Sequence, residues 1–344
     1  MSLESSDHTE LYEHFKFLVD PGQTHLRIDK FLFNRLEGTS RNRIQAAAKA
    51  GNILVNTQPI KPNYRVKPGD TISIVLPHPP RKIELIPEDI PIEVVYEDSD
   101  LLVVNKSAGM VVHPGYGNYT GTLINALMFH LKDNPLFSSG EERPGLVHRI
   151  DKNTSGLLVV AKNELALNKL ASQFFHRTTK RTYNALIWGD MKTDEGTIEG
   201  NIGRNPKERK QMHVFPEGDQ GKVAITHYRV VERLGYVNLV ECKLETGRTH
   251  QIRVHFQYIS HPLFNDPEYG GNRILKGTTF TKYKQFVQNC FDLIPGQALH
   301  ARTLGFQHPT TGKEMIFEAS LPDGFQHMLE KWRNYIQGRT ENET

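Results

Sequence analysis

The strongest constraint on the fold is the stretch from residue 145 to residue 162, where a charged turn runs directly into an unbroken apolar segment. Residues 157–161 read Leu-Leu-Val-Val-Ala, and this short run without polar alternation predicts a strand buried on both faces. Residues 153–156, Asn-Thr-Ser-Gly, favour a turn through local side-chain hydrogen bonds and the free φ of glycine. Asp151 lies just before this turn, and Arg149 lies two residues before Asp151. The pattern therefore predicts a carboxylate held close to a rigid strand.

Two interpretations of Asp151 follow from its neighbours. An aspartate before Asn-Thr-Ser-Gly commonly caps its own turn, and the local pattern taken alone favours this role. A rigid buried strand is also how a protein scaffold presents a reactive carboxylate on an adjacent loop. Sequence features elsewhere in the chain have to decide between the two.

The chain is long enough and apolar enough for about two globular domains, since it has 344 residues of which 38% are hydrophobic. Cys242 and Cys290 form no motif, so we expect two free thiols, no disulfide and a reducing compartment. No apolar run approaches the ~20 residues that a membrane helix needs, and the N-terminus is acidic and polar. The sequence therefore predicts a cytoplasmic protein without a membrane segment.

Positive charge is concentrated in one part of the chain, although the net charge is only +3. Residues 24–76 contain nine basic and three acidic residues, whereas residues 1–23 contain one basic and five acidic residues. A small module with this excess of lysine and arginine has the charge expected of a nucleic-acid-binding domain. A basic face that is merely solvated is the alternative.

The basic module has the pattern of a small α/β unit. Ser40 is a favoured N-cap and Gly51 a favoured C′ residue, so a helix is predicted between them. Arg41 and Arg43 fall in its first turn, where the helix dipole disfavours cations, and this placement indicates an anionic partner. The predicted elements are an edge strand, two helices and two further strands, at 15–19, 27–36, 41–50, 53–55 and 71–76.

Proline-rich sequence separates the basic module from a second, larger domain. Pro77, Pro79 and Pro80 begin a stiff linker, and two further prolines delay regular structure until residue 92. The predicted organisation is a flexible tail, the basic module, the linker, the larger domain and a second flexible tail, at 1–14, 15–76, 77–91, 92–335 and 336–344.

The larger domain contains predicted strands and two predicted helices. Tyr183 lies in a strand, where an aromatic side chain usually packs in the core. Thr249 fits the N-cap of a helix, so Arg253 falls in its first turns and needs a carboxylate or phosphate partner. Residues 203–222 form a basic, irregular segment that is either a solvated flap or a grip on phosphates. The predicted strands are 92–96, 101–105, 157–161, 182–188, 226–232 and 237–244, and the predicted helices are 164–177 and 250–259.

Spacing disfavours two other chemistries. Residues 112–118 contain glycines but lack the Gly-Lys-Ser/Thr ending of a phosphate-binding loop, which argues against a nucleotide cofactor. His250 and His255 are five residues apart and do not share a helix face, so they do not predict a metal site.

Three motifs lie far apart in the chain: His-Arg-Ile-Asp at 148–151 with Thr-Ser-Gly-Leu-Leu at 154–158, Tyr183 after Lys-Arg-Thr, and Gly-Arg-Thr-His-Gln-Ile-Arg at 247–253. Together they resemble the RluA family of pseudouridine synthases. The resemblance covers residues 15–335 and is nearest to the branch that acts on large-subunit ribosomal RNA. Ile150 stands where the family usually has leucine. Supporting stretches are 112–115, 121–127, 266–271 and 297–301.

Residues 24–76 resemble the small RNA-binding domain of the S4 type, through Arg-Ile-Asp-Lys-Phe-Leu at 27–32 and Ser-Arg-Asn-Arg-Ile at 40–44. Thr57 stands where glycine is usual. The two resemblances imply an α+β fold. It would combine a small N-terminal S4-like α/β RNA-binding module with a pseudouridine synthase catalytic domain, whose mixed, mainly antiparallel sheet is flanked by helices.

The resemblance implies an isomerase that breaks the N-glycosidic bond of a uridine in RNA and rejoins the uracil to the ribose through carbon five. It implies no cofactor and no metal. The expected partner is large-subunit ribosomal RNA or its assembly intermediate, and we expect a monomer without a membrane or nucleotide cofactor. Asp151 is the implied nucleophile, Arg253 its charged partner, and Tyr183 stacks on the uracil. Addition of Asp151 to the sugar and removal of a neighbouring proton both stay open.

The expected RNA contacts are mainly basic residues. Arg149 matches the family residue that takes the place vacated by the flipped base. The other expected contacts are His148, Arg41, Arg43, Lys180, Arg181, Arg204, Lys207, Arg209, Lys210 and Arg248. One rival function is a catalytically silent RNA-binding or ribosome-assembly protein of the same fold, against which the intact catalytic motifs argue. A second rival is a hydrolase with paired carboxylates, but the implied partner of Asp151 is an arginine.

Overall fold

The structure is a computed structural model that describes residues 11–23, 25–36, 39–77, 84–115, 117–139, 141–208 and 211–343. The chain divides between residues 82 and 83 into two units, each with its own sheet. Arg209 and Lys210, two of the predicted RNA contacts, lie outside the described residues. The same is true of residues 1–10 in the predicted tail and 78–83 in the predicted linker.

The N-terminal unit is a four-stranded antiparallel sheet with two helices. Its strands are β1 (Tyr12–Leu18), β2 (Ile53–Val55), β3 (Gln58–Pro59) and β4 (Thr71–Leu76), and its helices are α1 (Ile28–Phe33) and α2 (Arg41–Lys49). The strands lie in the order β1-β4-β2-β3. Ile28, Phe31 and Leu32 recur at helical spacing in α1, and they are buried in one core with Ile44 and Ile72.

Local signals in this unit are mostly confirmed. Ser40 accepts a hydrogen bond from the backbone N–H of Arg43 at 3.3 Å, as an N-cap should. Two bounds were wrong: β1 begins at Tyr12, inside the predicted tail, and α1 ends at Phe33 although the apolar spacing continues to Leu36. Leu36 is nevertheless buried, so the spacing indicated burial beyond the helix end. Thr57 has a φ of 69°, which explains why glycine is usual there.

The second unit is built around a ten-stranded mixed sheet. Its strands are β5 (Glu93–Glu97), β6 (Leu101–Lys106), β7 (Ser155–Ala161), β8 (Lys180–Trp188), β9 (Glu195–Arg204), β10 (Met212–Phe215), β11 (Lys222–Leu234), β12 (Val237–Leu244), β13 (Leu299–Gln307) and β14 (Glu314–Glu318). Its helices are α3 (Leu123–His130), α4 (Pro135–Ser138), α5 (Glu164–His176), α6 (Gln251–Tyr258), α7 (Thr281–Phe291) and α8 (Asp323–Glu343).

The strands of this sheet lie in the order β10-β9-β11-β12-β8-β13-β7-β6-β5, with β14 paired to β13. Strands β7 and β13 run parallel, and the other described pairs are antiparallel. Helix α5 packs on β7 and β13, and helix α6 packs on β9, β10 and β11. The α+β prediction, with a mixed and mainly antiparallel sheet, is confirmed.

Strand β7 is buried along its whole length, as the apolar run predicts. Its residues alternate between two cores: Leu158 and Val160 belong to one, and Leu157 and Val159 to the other. Gly156 allows the close parallel approach of β13, because a Cβ at this position would lie 2.2 Å from the carbonyl oxygen of Ala301. The turn before β7 is therefore anchored to the centre of the sheet.

The structure differs from prediction in two longer segments. Residues 203–222 include the end of β9 and all of β10, which pair with each other, so this segment is not an irregular loop. Its glycines weaken the strand pattern that would have indicated pairing. Helix α8 extends to Glu343, so residues 336–343 continue a helix where the sequence predicts a tail. Among the described residues, no helix has both the length and the apolar character needed to cross a membrane.

Candidate active site

The three residues that the sequence predicts as catalytic line one cleft in the second unit. Asp151 comes from the turn before β7, Tyr183 from the central strand β8, and Arg253 from the first turn of α6. The cleft has a volume of about 590 Å³, within the range of small-ligand sites. Its apolar lining includes Val147, Ile150, Phe174, Phe175, Leu244, Ile252 and Leu299.

The Asp151 carboxylate forms an ion pair with Arg253, since Arg253 Nη1 lies 3.0 Å from Asp151 Oδ2. The backbone carbonyl of Asp151 accepts from the N–H of Thr154 at 3.1 Å, so main-chain atoms close the turn. The Asp151 side chain therefore does not cap this turn, although the local sequence pattern taken alone favours that role. It is 22% exposed, and within the described part of the chain Oδ1 has no hydrogen-bond donor. One oxygen is held and the other faces the cleft.

Arg253 is itself held rigidly by acidic residues beyond Asp151. Its Nε and Nη2 donate to the two oxygens of Asp266 at 2.7 and 2.9 Å, and Nη2 also pairs with Glu268. Its guanidinium lies 5.0 Å from the ring centre of Tyr269. Burial alone would lower the pKa of Arg253, but the hydrogen bonds to Asp266 and the negative charges of Asp266, Asp151 and Glu268 together outweigh burial and raise this pKa above its ordinary value. Arg253 is therefore a permanently charged, fixed partner for Asp151.

No sequence pattern identified three further residues of the site, Asp266, Glu268 and Tyr269. Their stretch contributes to the family resemblance, but no spacing links it to Arg253. Asp266 is fully buried, and its Oδ1 also accepts the backbone N–H groups of Glu268 and Tyr269 at 3.0 and 3.2 Å. This turn is folded around the Asp266 carboxylate, which in turn orients the guanidinium.

The start of helix α6 differs from the prediction that Thr249 is its N-cap. His250 occupies the cap position with a φ of 55° and makes no capping side-chain bond. The side chain of Gln251 closes the turn instead, because its Oε1 accepts from the N–H of Arg248 at 3.0 Å and from the hydroxyl of Thr246 at 2.7 Å. The helix thus begins one residue later than expected, and the imidazole of His250 points into the site.

Tyr183 lies on the cleft wall and is 8% exposed. In the sheet it pairs with Ala301 of β13 on one side and Cys242 of β12 on the other. Burial raises the pKa of Tyr183, so its phenol is neutral at physiological pH. The strand interpretation and the site interpretation therefore both hold: the ring is part of the core and also forms a face of the cleft.

Lys106 is a buried cation that contacts the Asp151 turn. No sequence pattern predicted this role for Lys106. Its Nζ donates to the carbonyl oxygens of Ser107, Met110 and Lys152 at 2.7, 2.8 and 3.0 Å. Burial lowers the pKa of Lys106 to about 7, and the negative charge of Asp151 opposes this shift. Three carbonyl acceptors match the three protons of an ammonium group, so we assign the charged form. Lys106 ties the Asp151 turn to the end of β6.

The mouth of the cleft is cationic. Arg149, Arg181 and Arg248 line it, and in the described chain none of the three forms an ion pair with a carboxylate. The guanidinium of Arg181 lies 5.5 Å from the ring centre of Phe174, and Arg248 Nε donates to the carbonyl of Val223 at 3.0 Å. Arginines without carboxylate partners at the mouth of a cleft suit the phosphates of a nucleic acid.

Arg177 is a fourth arginine of this mouth that sequence patterns missed. It follows α5 with a left-handed φ of 60°, and it lines the cleft. Burial lowers the pKa of Arg248, and the positive charge of Arg177 acts in the same direction. The two side chains are therefore close enough to repel each other.

His148 lines the cleft but is not a cation there. Its Nε2 accepts the backbone N–H of Val159 at 3.0 Å, and its ring stacks on Phe174 with centroids 4.3 Å apart. Burial lowers the pKa of His148 to about 3, and the Arg181 cation acts in the same direction. Its hydrogen bond and its stacking make His148 a support of the cleft wall, and its role as an RNA contact stays a prediction.

The other described RNA-contact candidates of the second unit do not line the cleft, and two further candidates belong to the N-terminal unit. Lys180 forms an ion pair with Glu314 of β14, and Arg41 forms one with the buried Asp29 in the N-terminal unit. Arg43 is exposed on α2. Arg204 and Lys207 lie at the end of β9 and in the turn that follows it.

Comparisons with known proteins agree with the geometry. Residues 100–258 match the sequence profile of RNA pseudouridylate synthase, and residues 26–72 match that of the S4 domain. An uncharacterized RNA pseudouridine synthase of Chlorobaculum parvum is 51% identical over 320 residues, which cover 92% of this chain and 97% of that protein.

Two further similarities concern a named enzyme and a solved structure. Ribosomal large subunit pseudouridine synthase D of Neisseria meningitidis serogroup A is 43% identical over 303 residues, covering 88% of this chain and 78% of that protein. The structure of human RNA pseudouridylate synthase domain containing 4 has a TM-score of 0.53 at 24% identity, covering 70% of this chain and 93% of that chain. The similarity to the human structure concerns the fold alone.

Proposed function

The chain belongs to the RNA pseudouridine synthase family, and from that premise we propose that it uses Asp151 to isomerise specific uridines of large-subunit ribosomal RNA. Members of this family convert uridine in RNA to pseudouridine, and this chain is such an isomerase. The observation that carries the proposal is the Asp151–Arg253 ion pair at the base of an RNA-compatible cleft.

The reaction breaks the bond between N1 of uracil and C1′ of ribose and forms a bond between C5 and C1′. A proton leaves C5 and N1 gains one, so atoms and charge balance without a cofactor. Both routes for Asp151, addition to the sugar and removal of a neighbouring proton, need an ionised carboxylate. Arg253 supports that ionised form at Oδ2 while Oδ1 stays available.

The uracil has to leave its stack to reach Asp151, which costs a few kcal/mol. Tyr183 offers an aromatic face in the cleft, and stacking on such a face contributes ~1–3 kcal/mol per base. Arg149 lies at the mouth beside Asp151, where its side chain is suited to fill the place that the flipped base vacates. The arginines of the mouth then bind the flanking phosphates.

Large-subunit ribosomal RNA is the proposed substrate for two reasons. The relative in Neisseria meningitidis carries that substrate in its name and is 43% identical. The S4 domain at residues 26–72 supplies a separate RNA-binding unit, and α2 presents the exposed Arg43.

The test is pseudouridine mapping of total ribosomal RNA from cells with and without the gene. We expect specific large-subunit uridines to lose modification in the deletion strain and to regain it with the wild-type chain but not with Asp151→Asn. Unchanged large-subunit modification, with losses in another RNA, would refute the proposed substrate. Unchanged modification in all RNA, together with retained RNA binding, would favour the silent RNA-binding rival.

A further inference from the structure

We propose that His250 is a second positioning residue for Asp151, which presents its Nε2–H to the carboxylate oxygen that Arg253 leaves open. The inference rests on the proposed role of Asp151 as the reacting carboxylate. His250 lines the cleft directly before α6. Its Nε2 lies 3.9 Å from Asp151 Oδ1, whereas Arg253 binds Oδ2. The two residues therefore approach the carboxylate at different oxygens.

Hydrogen bonds on the far side of the imidazole determine which nitrogen carries the proton. The backbone N–H of Met212 donates to Tyr269 Oη at 2.9 Å, and the same Oη lies 2.9 Å from His250 Nδ1. Because the Tyr269 oxygen already accepts from Met212, its own hydrogen is free to point at Nδ1. Burial raises the pKa of Tyr269, so the hydroxyl keeps that hydrogen. We therefore assign Nδ1 as the acceptor and Nε2 as the nitrogen that carries the ring proton, since Glu268 Oε2, the other acceptor near Nδ1, lies beyond hydrogen-bond distance at 3.6 Å.

The charge on the imidazole agrees with this tautomer. Burial lowers the pKa of His250, and the Arg253 cation acts in the same direction. The carboxylates of Asp151, Glu268 and Asp266 oppose the shift without cancelling it. A neutral ring has a single N–H, and here that N–H is directed at the cleft side, toward Asp151 Oδ1.

The 3.9 Å separation is longer than a hydrogen bond, so Oδ1 remains open in the free protein. Hydrogen bonds of this kind are often long without substrate and shorten when substrate fills the site. A neutral donor on this side limits rotation of the carboxylate but does not neutralise its charge. His250 would thus orient Asp151 toward the sugar, while Arg253 supplies the counter-charge.

The backbone at His250 offers a competing explanation that can be separated by mutation. Its φ of 55° lies in the left-handed region, which glycine adopts freely and which asparagine, aspartate and histidine adopt more often than other residues. If His250 served only this turn, glycine or asparagine would replace it well. If its Nε2–H positions Asp151, glutamine should replace it best, since the amide nitrogen of glutamine reaches about as far as Nε2 whereas that of asparagine reaches only the Nδ1 position.

The experiment measures tritium release from large-subunit ribosomal RNA transcribed with uridine labelled at C5, in single turnover at saturating full-length protein. We expect His250→Gly and His250→Asn to lower the rate constant by about 10- to 100-fold, as for loss of a hydrogen bond to a charged group. We expect His250→Gln to stay within about fivefold of wild type, and all three variants to keep the wild-type Kd for RNA. If the rate constant of His250→Asn or His250→Gly equalled or exceeded that of His250→Gln, the positioning role would be overturned.

Tyr269→Phe provides a second readout. Phenylalanine keeps the ring 5.0 Å from the Arg253 guanidinium but removes the hydrogen that selects the Nδ1-acceptor tautomer. We expect Tyr269→Phe alone to lower the rate constant by about 3- to 10-fold. In the His250→Gly background the same substitution should cause no further loss of rate. Additive losses would contradict the coupling of Tyr269 to His250. Absence of tritium release from the wild type overturns the proposed substrate, whereas wild-type turnover with the reversed variant order overturns only the role of His250.

Discussion

Asp29 and Asp151 are both aspartates held by arginine, one in each unit, but only Asp151 keeps an open oxygen. The Asp29 side chain is fully buried, and both oxygens accept hydrogen bonds at 2.6–3.2 Å. The donors to Asp29 are Arg27, Arg41, Gln45 and the backbone N–H of Lys30. Asp151 is 22% exposed, and in the described chain its carboxylate accepts one hydrogen bond, from Arg253.

Open lone pairs, and not the presence of an arginine, therefore distinguish the proposed reactive carboxylate of Asp151 from the structural carboxylate of Asp29. Burial by itself would raise the pKa of Asp29, but hydrogen bonds from Arg41, Gln45 and Arg27 outweigh burial and hold it well below the ordinary range. With every lone pair used, Asp29 has nothing left to offer a substrate. Arg41 is correspondingly committed to Asp29, which weakens its expected role as an RNA contact.

The largest expected effect is on the open carboxylate. Asp151→Asn removes the charge needed by either chemical route, so pseudouridine formation should fall on the order of 10⁴-fold or more. RNA affinity and the free energy of unfolding should change little, because Asp151 makes one partly exposed ion pair. Tritium release and filter binding measure the two effects. Retained isomerisation would remove Asp151 from its proposed role.

Substitution of Asp29, whose oxygens both accept hydrogen bonds, should have the opposite effect: a loss of stability without a loss of turnover. Asp29→Ala leaves two arginines without their buried partner, and we expect the N-terminal unit to lose about 2–3 kcal/mol of unfolding free energy. The loss is below that of a fully buried pair because both arginine side chains are 42% exposed. Denaturant unfolding of the full chain measures it. Turnover at saturating RNA should be unchanged, and a large loss of turnover would contradict a purely structural Asp29.

Acid should destabilise the two units in different pH windows. In the second unit, burial lowers the pKa of His148 to about 3 and of His255 to about 4, against ~6.5 for free histidine. The unfolded chain therefore binds more protons below pH ~6.5, so this unit loses stability as pH falls, by about 2 kcal/mol at pH 5 for each of the two histidines. Asp29 has a lowered pKa, so its contribution is present above pH ~3.9 and is lost only below that.

Calorimetry of the full chain at pH 7, 5 and 3 checks this order. The transition of the second unit should shift first, and the shift between pH 7 and 5 should shrink in a His148→Gln variant. If the N-terminal unit lost stability before the second unit as the pH fell, the directions given for these pKa values would be contradicted.

The smallest effect concerns two arginines on α2. Arg43 is exposed, so Arg43→Ala should lower RNA affinity several-fold and reduce the salt slope of log K by about 0.7–0.9. Arg41→Ala should lower stability more than it changes the salt slope, since Arg41 is paired with Asp29. Binding measured from 50 to 200 mM salt separates the two. Equal slopes for both variants would mean that the Asp29 pair does not keep Arg41 from RNA.

Where the determinants of structure are local, the sequence predicted them. Strand β7 follows from an apolar run, and helix α5 begins directly after its N-cap Asn163, whose side chain accepts from the N–H of Ala166 at 2.9 Å. Periodicity failed for the glycine-containing β9–β10 pair and for the start of α6. There His250 has a left-handed backbone, which the apolar spacing of the helix does not indicate.

By itself, the sequence determined the family, the two-part α+β organisation and the residues of the Asp151–Arg253 pair, through three motifs read together. The partners of this pair, whose members are 102 residues apart, became visible in the fold: Asp266, Glu268 and Tyr269 contact Arg253, and His250 faces the open oxygen of Asp151. The physical reason is that periodicity reports which side of a local element is buried. The reactivity of a carboxylate depends instead on which distant donors reach each of its lone pairs.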